Sequence, residues 1–123
     1  MLLLTLITAS LLMVPSPAYG QHTEAELVDG FMKSASAVFD RAKAKPSDGT
    51  INLLRDWLKE GASRLISDRR TSGKDIAASG ELVKRFAAEI VKHGVRKPDG
   101  TVQLSEDSFL AAQRATCPLY PFC

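Results

Sequence analysis

Apolar residues recur at helical spacing in four stretches of this chain, with charged and polar residues filling the opposite positions. The first stretch runs from about Thr23 to Lys43. Leu27, Phe31, Val38 and Ala42, flanked by Val28, Met32, Ala35 and Phe39, make one broad stripe. Thr23 and Glu26 stand in the T-x-x-E order of a capping box. Gly30 weakens this helix without breaking it, and Pro46 ends it. The second stretch runs from about Ile51 to Ile66, with Ile51, Leu54, Trp57, Leu58, Leu65 and Ile66 on one face. On its other face Asp56 and Lys59 form a workable i,i+3 pair, while Arg55–Lys59 and Asp56–Glu60 are like-charged at i,i+4. Packing, more than surface pairs, has to hold this helix.

Ser67 to Lys74 has no periodicity and reads as a loop. A third helix covers Glu81 to His93 and starts as early as Asp75, with Ser79 as an N-cap candidate and Leu82, Val83, Phe86, Ile90 and Val91 as its stripe. Gly94 before Val95 predicts a left-handed glycine stop. Ser105 caps a fourth helix, Glu106 and Asp107 suit its first turn, and Pro118 ends it. No stretch alternates like a long strand. The expected architecture is all-α: a small bundle of about four helices, arranged as two helix–loop–helix units, with a cysteine-closed C-terminal loop.

The two linkers echo each other. "KPSDGTINL" spans Lys45 to Leu53 and "KPDGTVQL" spans Lys97 to Leu104, with Ser47 the extra residue of the first. The second copy resembles the EF-hand loop. Asp99, Gly100, Val102 and Glu106 fall on its central Asp-Gly, its β-branched position and its last ligand position. Val95 and Lys97 fall on its first and third positions and cannot ligate calcium. In the first copy those positions hold Ala44 and Pro46, and Arg55 stands at the last. The resemblance therefore implies a degenerate pair without calcium, in which Ile51 and Val102 would pair through their backbones. Pro-Asp-Gly-Thr is also a common turn in its own right.

The front of the chain changes the picture. Leu2 to Val14 is apolar and uncharged, and Pro15 and Pro17 follow. Ala18 and Gly20 then offer the small side chains of a cleavage site between Gly20 and Gln21. The run is shorter than the roughly 20 residues that span a bilayer. Residues 1–20 read as a signal peptide, although no Lys or Arg lies between Met1 and the apolar run. Residues 21–116 then form one small helical domain, and 117–123 a loop bounded by the only two cysteines, Cys117 and Cys123. Export places the protein in a periplasm or outside the cell, where paired thiols oxidise. The two cysteines can bond each other or another chain. A ring between them would pin a terminus that otherwise frays. It would hold Leu119, Tyr120 and Phe122 in one shape. That shape is either a lid on the domain's own core, which a small domain favours, or a contact loop for a partner.

Charge and chemistry add less. The formal net charge is +2, too small to imply nucleic acid, and the interleaved aromatics that stack on bases are missing. Basic residues gather at Arg64, Arg69, Arg70 and Lys74, and again at Lys84, Arg85, Lys92, Arg96 and Lys97. His22 and His93 match no metal spacing, and no phosphate loop or nucleophile elbow occurs. No metal and no cofactor are expected. Glu60 with Asp56, or Glu81 with Glu89, are the carboxylates that could work as a pair.

The sequence therefore predicts an exported helical protein that binds rather than catalyses. The expected roles are an accessory or adaptor subunit of an envelope or secretion assembly, or an inhibitor or immunity protein. The expected partner is a protein in the periplasm or extracellular space, an anionic membrane or glycan surface being the further candidate. The first contact surface is Leu119, Tyr120 and Phe122. The second is Arg69, Arg70 and Lys74. The competing expectations are a small hydrolase of envelope polymers using Glu60, Glu81 and Glu89, and a helical protein held at membrane surfaces by charge.

Overall fold

A computed structural model describes residues 22–117 and 119–123. The expected signal peptide, its expected Gly20–Gln21 cleavage point and Pro118 lie outside the described residues.

Four helices form. Helix α1 (Glu24–Arg41) opens with the predicted capping box: Glu26 N–H donates to Thr23 Oγ1 at 3.1 Å and Thr23 N–H to Glu26 Oε1 at 3.0 Å. It buries Leu27, Val28, Phe31, Ala35 and Phe39. It ends before Pro46 is reached, with Lys43 in the left-handed region at φ 57°. Strand β1 (Ala44–Pro46) follows.

Helix α2 (Asp48–Ser67) starts earlier than its apolar periodicity indicates. Ser47 is the reason: its hydroxyl accepts the Thr50 N–H at 3.1 Å and caps the helix. Thr50 is itself buried and donates its hydroxyl to the Leu104 carbonyl at 3.2 Å. Leu54, Trp57, Leu58 and Leu65 lie in the core as expected, but Ile66 is 38% exposed and belongs to the surface. The expected Asp56–Lys59 pair does not form among the described residues.

Helix α3 (Gly73–Lys92) starts from a Ser72 cap, whose hydroxyl accepts the Asp75 N–H at 3.0 Å. Ser79 is therefore not a cap but a buried residue inside the helix. The helix ends at His93 without a left-handed glycine, for Gly100 alone among the described glycines has a positive φ, 89°. Gly94 serves a different purpose. A Cβ there would come within 2.6 Å of Val102 Cγ1 and Leu104 Cδ2, so its bare backbone lets a strand lie against the end of α3. Helix α4 (Glu106–Thr116) is capped by Ser105 and Ser108 acting on each other.

Strands β2 (Val95–Arg96) and β3 (Val102–Leu104) join β1 in a small sheet of order β1-β3-β2. β1 runs parallel to β3 with Ala44 opposite Val102, and β2 runs antiparallel to it with Arg96 opposite Val102. The EF-hand expectation fails here. Ile51 lies inside α2, and Val102 takes Ala44 and Arg96 as partners instead.

The echoed linkers fold differently for a local reason. In the first, Ser47 supplies a cap and Asp48-Gly49-Thr50 becomes the first helical turn. In the second, no cap precedes Asp99. Lys97-Pro98-Asp99-Gly100 closes a turn through Gly100 N–H to Lys97 C=O at 3.0 Å, with Pro98 where such turns favour proline. Thr101 donates from its hydroxyl at 2.7 Å and its N–H at 3.0 Å to Asp99, holding that carboxyl below the usual carboxylate range.

The core lies among the four helices. α1 packs on α2 and α3, and α4 closes the same two from the other side. Its centre is aromatic. Trp57 stacks on Phe86 with centroids 3.9 Å apart and on Phe122 at 4.8 Å. Phe109 meets Trp57 and Phe86 edge-on. The indole Nε1 is buried among these rings without an acceptor among the described residues.

Candidate binding surface

Cys117 and Cys123 bond each other, with Cα atoms 5.6 Å apart, so the pairing lies within the chain. A disulfide of this kind is at home in an oxidising environment. Between the cysteines the described chain divides its side chains by direction. Pro121 and Phe122 turn inward and are buried, Leu119 is half-buried, and Tyr120 is 45% exposed. The Tyr120–Pro121 peptide is cis.

Phe122 is 3% exposed, which removes it from the expected contact surface. Its ring meets Phe31 edge-on at 5.5 Å, stacks on Trp57, and fills the space left by Gly61 on α2. A Cβ at Gly61 would overlap the Phe122 ring. The lid on the domain's own core and the contact loop are thus both present, on adjacent residues.

Arg64, one turn beyond Glu60 on α2, fixes the loop from outside. Its Nη1 donates to the Pro121 carbonyl at 3.0 Å and to the Cys123 carbonyl at 2.8 Å. Magnitudes show why several anchors are needed. Ordering a backbone costs about 1–2 kcal/mol per residue. Burying a phenylalanine returns about 1.5–3 kcal/mol. A ring this short contributes about 2 kcal/mol through the unfolded state. Phe122 alone would not hold the loop; the ring, the plug and the Arg64 bonds together do.

Tyr120 faces the second expected surface. The Arg70 guanidinium carbon lies 5.5 Å from the Tyr120 ring centroid, within cation–π range. Arg70 is placed there by the end of α2. Its N–H donates to the Leu65 carbonyl at 2.8 Å, and the Arg69 N–H to that of Ile66 at 3.1 Å. This is the Schellman pattern, with Arg69 in the left-handed region at φ 56° where glycine is usual. A small cleft of about 80 Å³ lies beneath, lined by Leu65, Arg70, Leu82, Tyr120 and Pro121 among others. Arg69, Arg70 and Lys74 are exposed and form no ion pair among the described residues. The structure therefore brings Tyr120 and Arg70 together, keeps Arg69 and Lys74 on the adjoining loop and first turn of α3, leaves Leu119 at the margin, and takes Phe122 into the core.

Sequence reasoning missed Arg64 as an anchor and Gly61 as a socket. Gly61 did carry a signal. A glycine inside an otherwise helical stretch costs about 1 kcal/mol against alanine, and at Gly61, unlike at Gly30, another side chain takes the space.

The three candidate carboxylates line three different clefts. Glu60 shares a crevice between α2 and α4 with Asp56. Glu81 pairs with Lys84 at 3.2 Å beside a groove between α1 and α3. Glu89 lies 3.6 Å from His93 Nε2, next to Arg85 and Thr116. His93 caps α3 at its C-terminal end, where a cation is favoured. His22 stands at the mouth of the α1–α3 groove. No group of three potential metal ligands occurs among the described residues, and none of their helices is long and apolar enough to cross a membrane. Comparison with protein-family models, with curated proteins and with solved structures gave no match.

Proposed function

We propose that this is an exported binding protein whose contact surface is centred on Tyr120 and Arg70. The carrying observation is the seating of the Arg70 guanidinium over the Tyr120 ring, with each residue fixed from its own side. Tyr and Arg are enriched among the residues that dominate interface energies. Both are ordered before a partner arrives: Tyr120 by the disulfide, the Phe122 plug and Arg64, and Arg70 by the α2 cap. Preordering lowers the entropy lost on association. Unpaired Arg69, Arg70 and Lys74 favour a partner with an acidic surface. The apolar run at residues 2–14 and the disulfide support a periplasmic or extracellular setting. An accessory or adaptor subunit of an envelope or secretion assembly, or an inhibitor or immunity protein, fits that setting.

Of the carboxylate pairs of the hydrolase reading, Glu81 and Glu89 line different clefts and only Asp56 and Glu60 share one, an open crevice, and no observation favours attachment to a membrane surface. The test uses the protein as bait in the extracytoplasmic fraction of the producing cells, with mass spectrometry as readout. Proteins enriched by the wild type should be lost with Tyr120→Ala and with Arg70→Glu, at unchanged circular dichroism. Retention by both variants would refute the surface. Loss on alanine substitution of Glu60, Glu81 or Glu89 instead would turn attention to the helix carboxylates.

A further inference from the structure

A second surface has the opposite charge. Between α2 and α4 lies an open crevice of about 390 Å³ whose apolar side is made by Leu53, Trp57, Phe109 and Leu110. Leu110 is 39% exposed and stands on this apolar side. Asp56 and Glu60 stand one turn apart on the α2 side, both exposed, with no cation in ion-pair range among the described residues. Towards the start of both helices, the Glu106 side chain lies against Gly49.

We propose that this crevice binds a cationic amphipathic segment of a protein partner. An apolar side chain of that segment covers Leu53, Leu110 and the edges of Trp57 and Phe109. Lysine or arginine side chains one helical turn apart meet Asp56 and Glu60. The match is that of a helix laid in a groove, where apolar anchors give affinity and flanking charges give register. The unpaired carboxylates argue against an anionic lipid surface, which they would repel. This site is separate from the Tyr120–Arg70 surface and opposite to it in charge preference.

Trp57, the only tryptophan, reports on the crevice directly. The experiment titrates the protein with a synthetic amphipathic Leu/Lys helix and, as control, its Leu/Glu counterpart, following Trp57 emission. A saturable change with the Leu/Lys peptide alone is expected. Asp56→Lys and Glu60→Lys should each weaken it about three- to tenfold. Arg70→Glu should leave it unchanged. The proposal is overturned if the Leu/Lys peptide produces no saturable change, if the Leu/Glu peptide binds equally, or if the two lysine variants bind as the wild type does. An emission change that follows the protein's own concentration without peptide would assign the crevice to a second copy and overturn it too.

Discussion

Tyr120 and Phe122 stand two residues apart in one disulfide ring and face opposite ways, one to solvent and one to the core. Gly61 decides which. With no side chain there, the Phe122 ring reaches Trp57 and Phe31. Gly61→Ala should expel it. Losing the buried ring costs about 1.5–3 kcal/mol, and the better helix former returns about 1 kcal/mol. The net loss of about 1 kcal/mol should lower Tm by about 4–8 °C in a domain this size. A calorimetric scan measures it, and Trp57 emission should shift red as the stacked ring departs. Asp99 offers a second residue-scale check. Two donors from Thr101 favour its ionised form, so its folded pKa lies below the value in the unfolded chain. Its contribution to stability is full above about pH 3.9, the ordinary aspartate value, and fades as pH falls through the lower folded value. An NMR titration of the Asp99 carboxyl should find a midpoint below that ordinary value, and Thr101→Ala should raise it. Which apolar residue of Leu119, Tyr120 and Phe122 turns inward was not legible in the sequence. The answer depends on a gap in a helix more than fifty positions away, and no local pattern encodes it.

At the scale of elements, periodicity located the first three helices because each buries a stripe of large side chains, while α4, whose one large buried residue is Phe109, was announced by its Ser105 cap. It misplaced two of their starts, since the first turns of α2 and α3 are polar and only Ser47 and Ser72 announce them. The three strands were invisible for a related reason. They are two or three residues long, too short to alternate, and β1 finds its partner β3 in a distant linker. The echo between those linkers misled because one inserted serine converts a turn into a helix cap. The end of α2 carries a prediction of its own. Arg69 occupies a left-handed position that costs an ordinary residue about 1–2 kcal/mol. Arg69→Gly removes that cost but adds flexibility to the unfolded chain, worth about 0.5–1 kcal/mol. A net gain of roughly 0.5–1 kcal/mol is expected from the difference, read as a higher midpoint in urea. Arg70 should keep its place over Tyr120.

For the whole molecule, the disulfide ties the end of α4 to the outer edge of α2 through Arg64 and Phe122. Replacing both Cys117 and Cys123 with serine should cost about 2 kcal/mol of stability. The effect at Tyr120 should be larger than that figure suggests, because the loop loses one of the three anchors that order it. Amide exchange of Tyr120 and Phe122 should quicken well before that of the helices. The all-helical bundle was open to a reader of the sequence, whereas the two cysteines could equally have joined two chains until the structure paired them within one. The joining of Tyr120 to Arg70 was not open either, because it requires the end of α2 and the end of the chain to meet.

Photo-crosslinking tests the central claim most directly. A benzophenone amino acid at position 120 of the full chain, expressed in its own cells and irradiated there, should join one discrete partner outside the cytoplasm. Arg70→Glu should abolish the product, and the same probe at exposed position 66 should not yield it. A probe at position 120 that captures nothing, or a product unchanged by Arg70→Glu, would contradict the account.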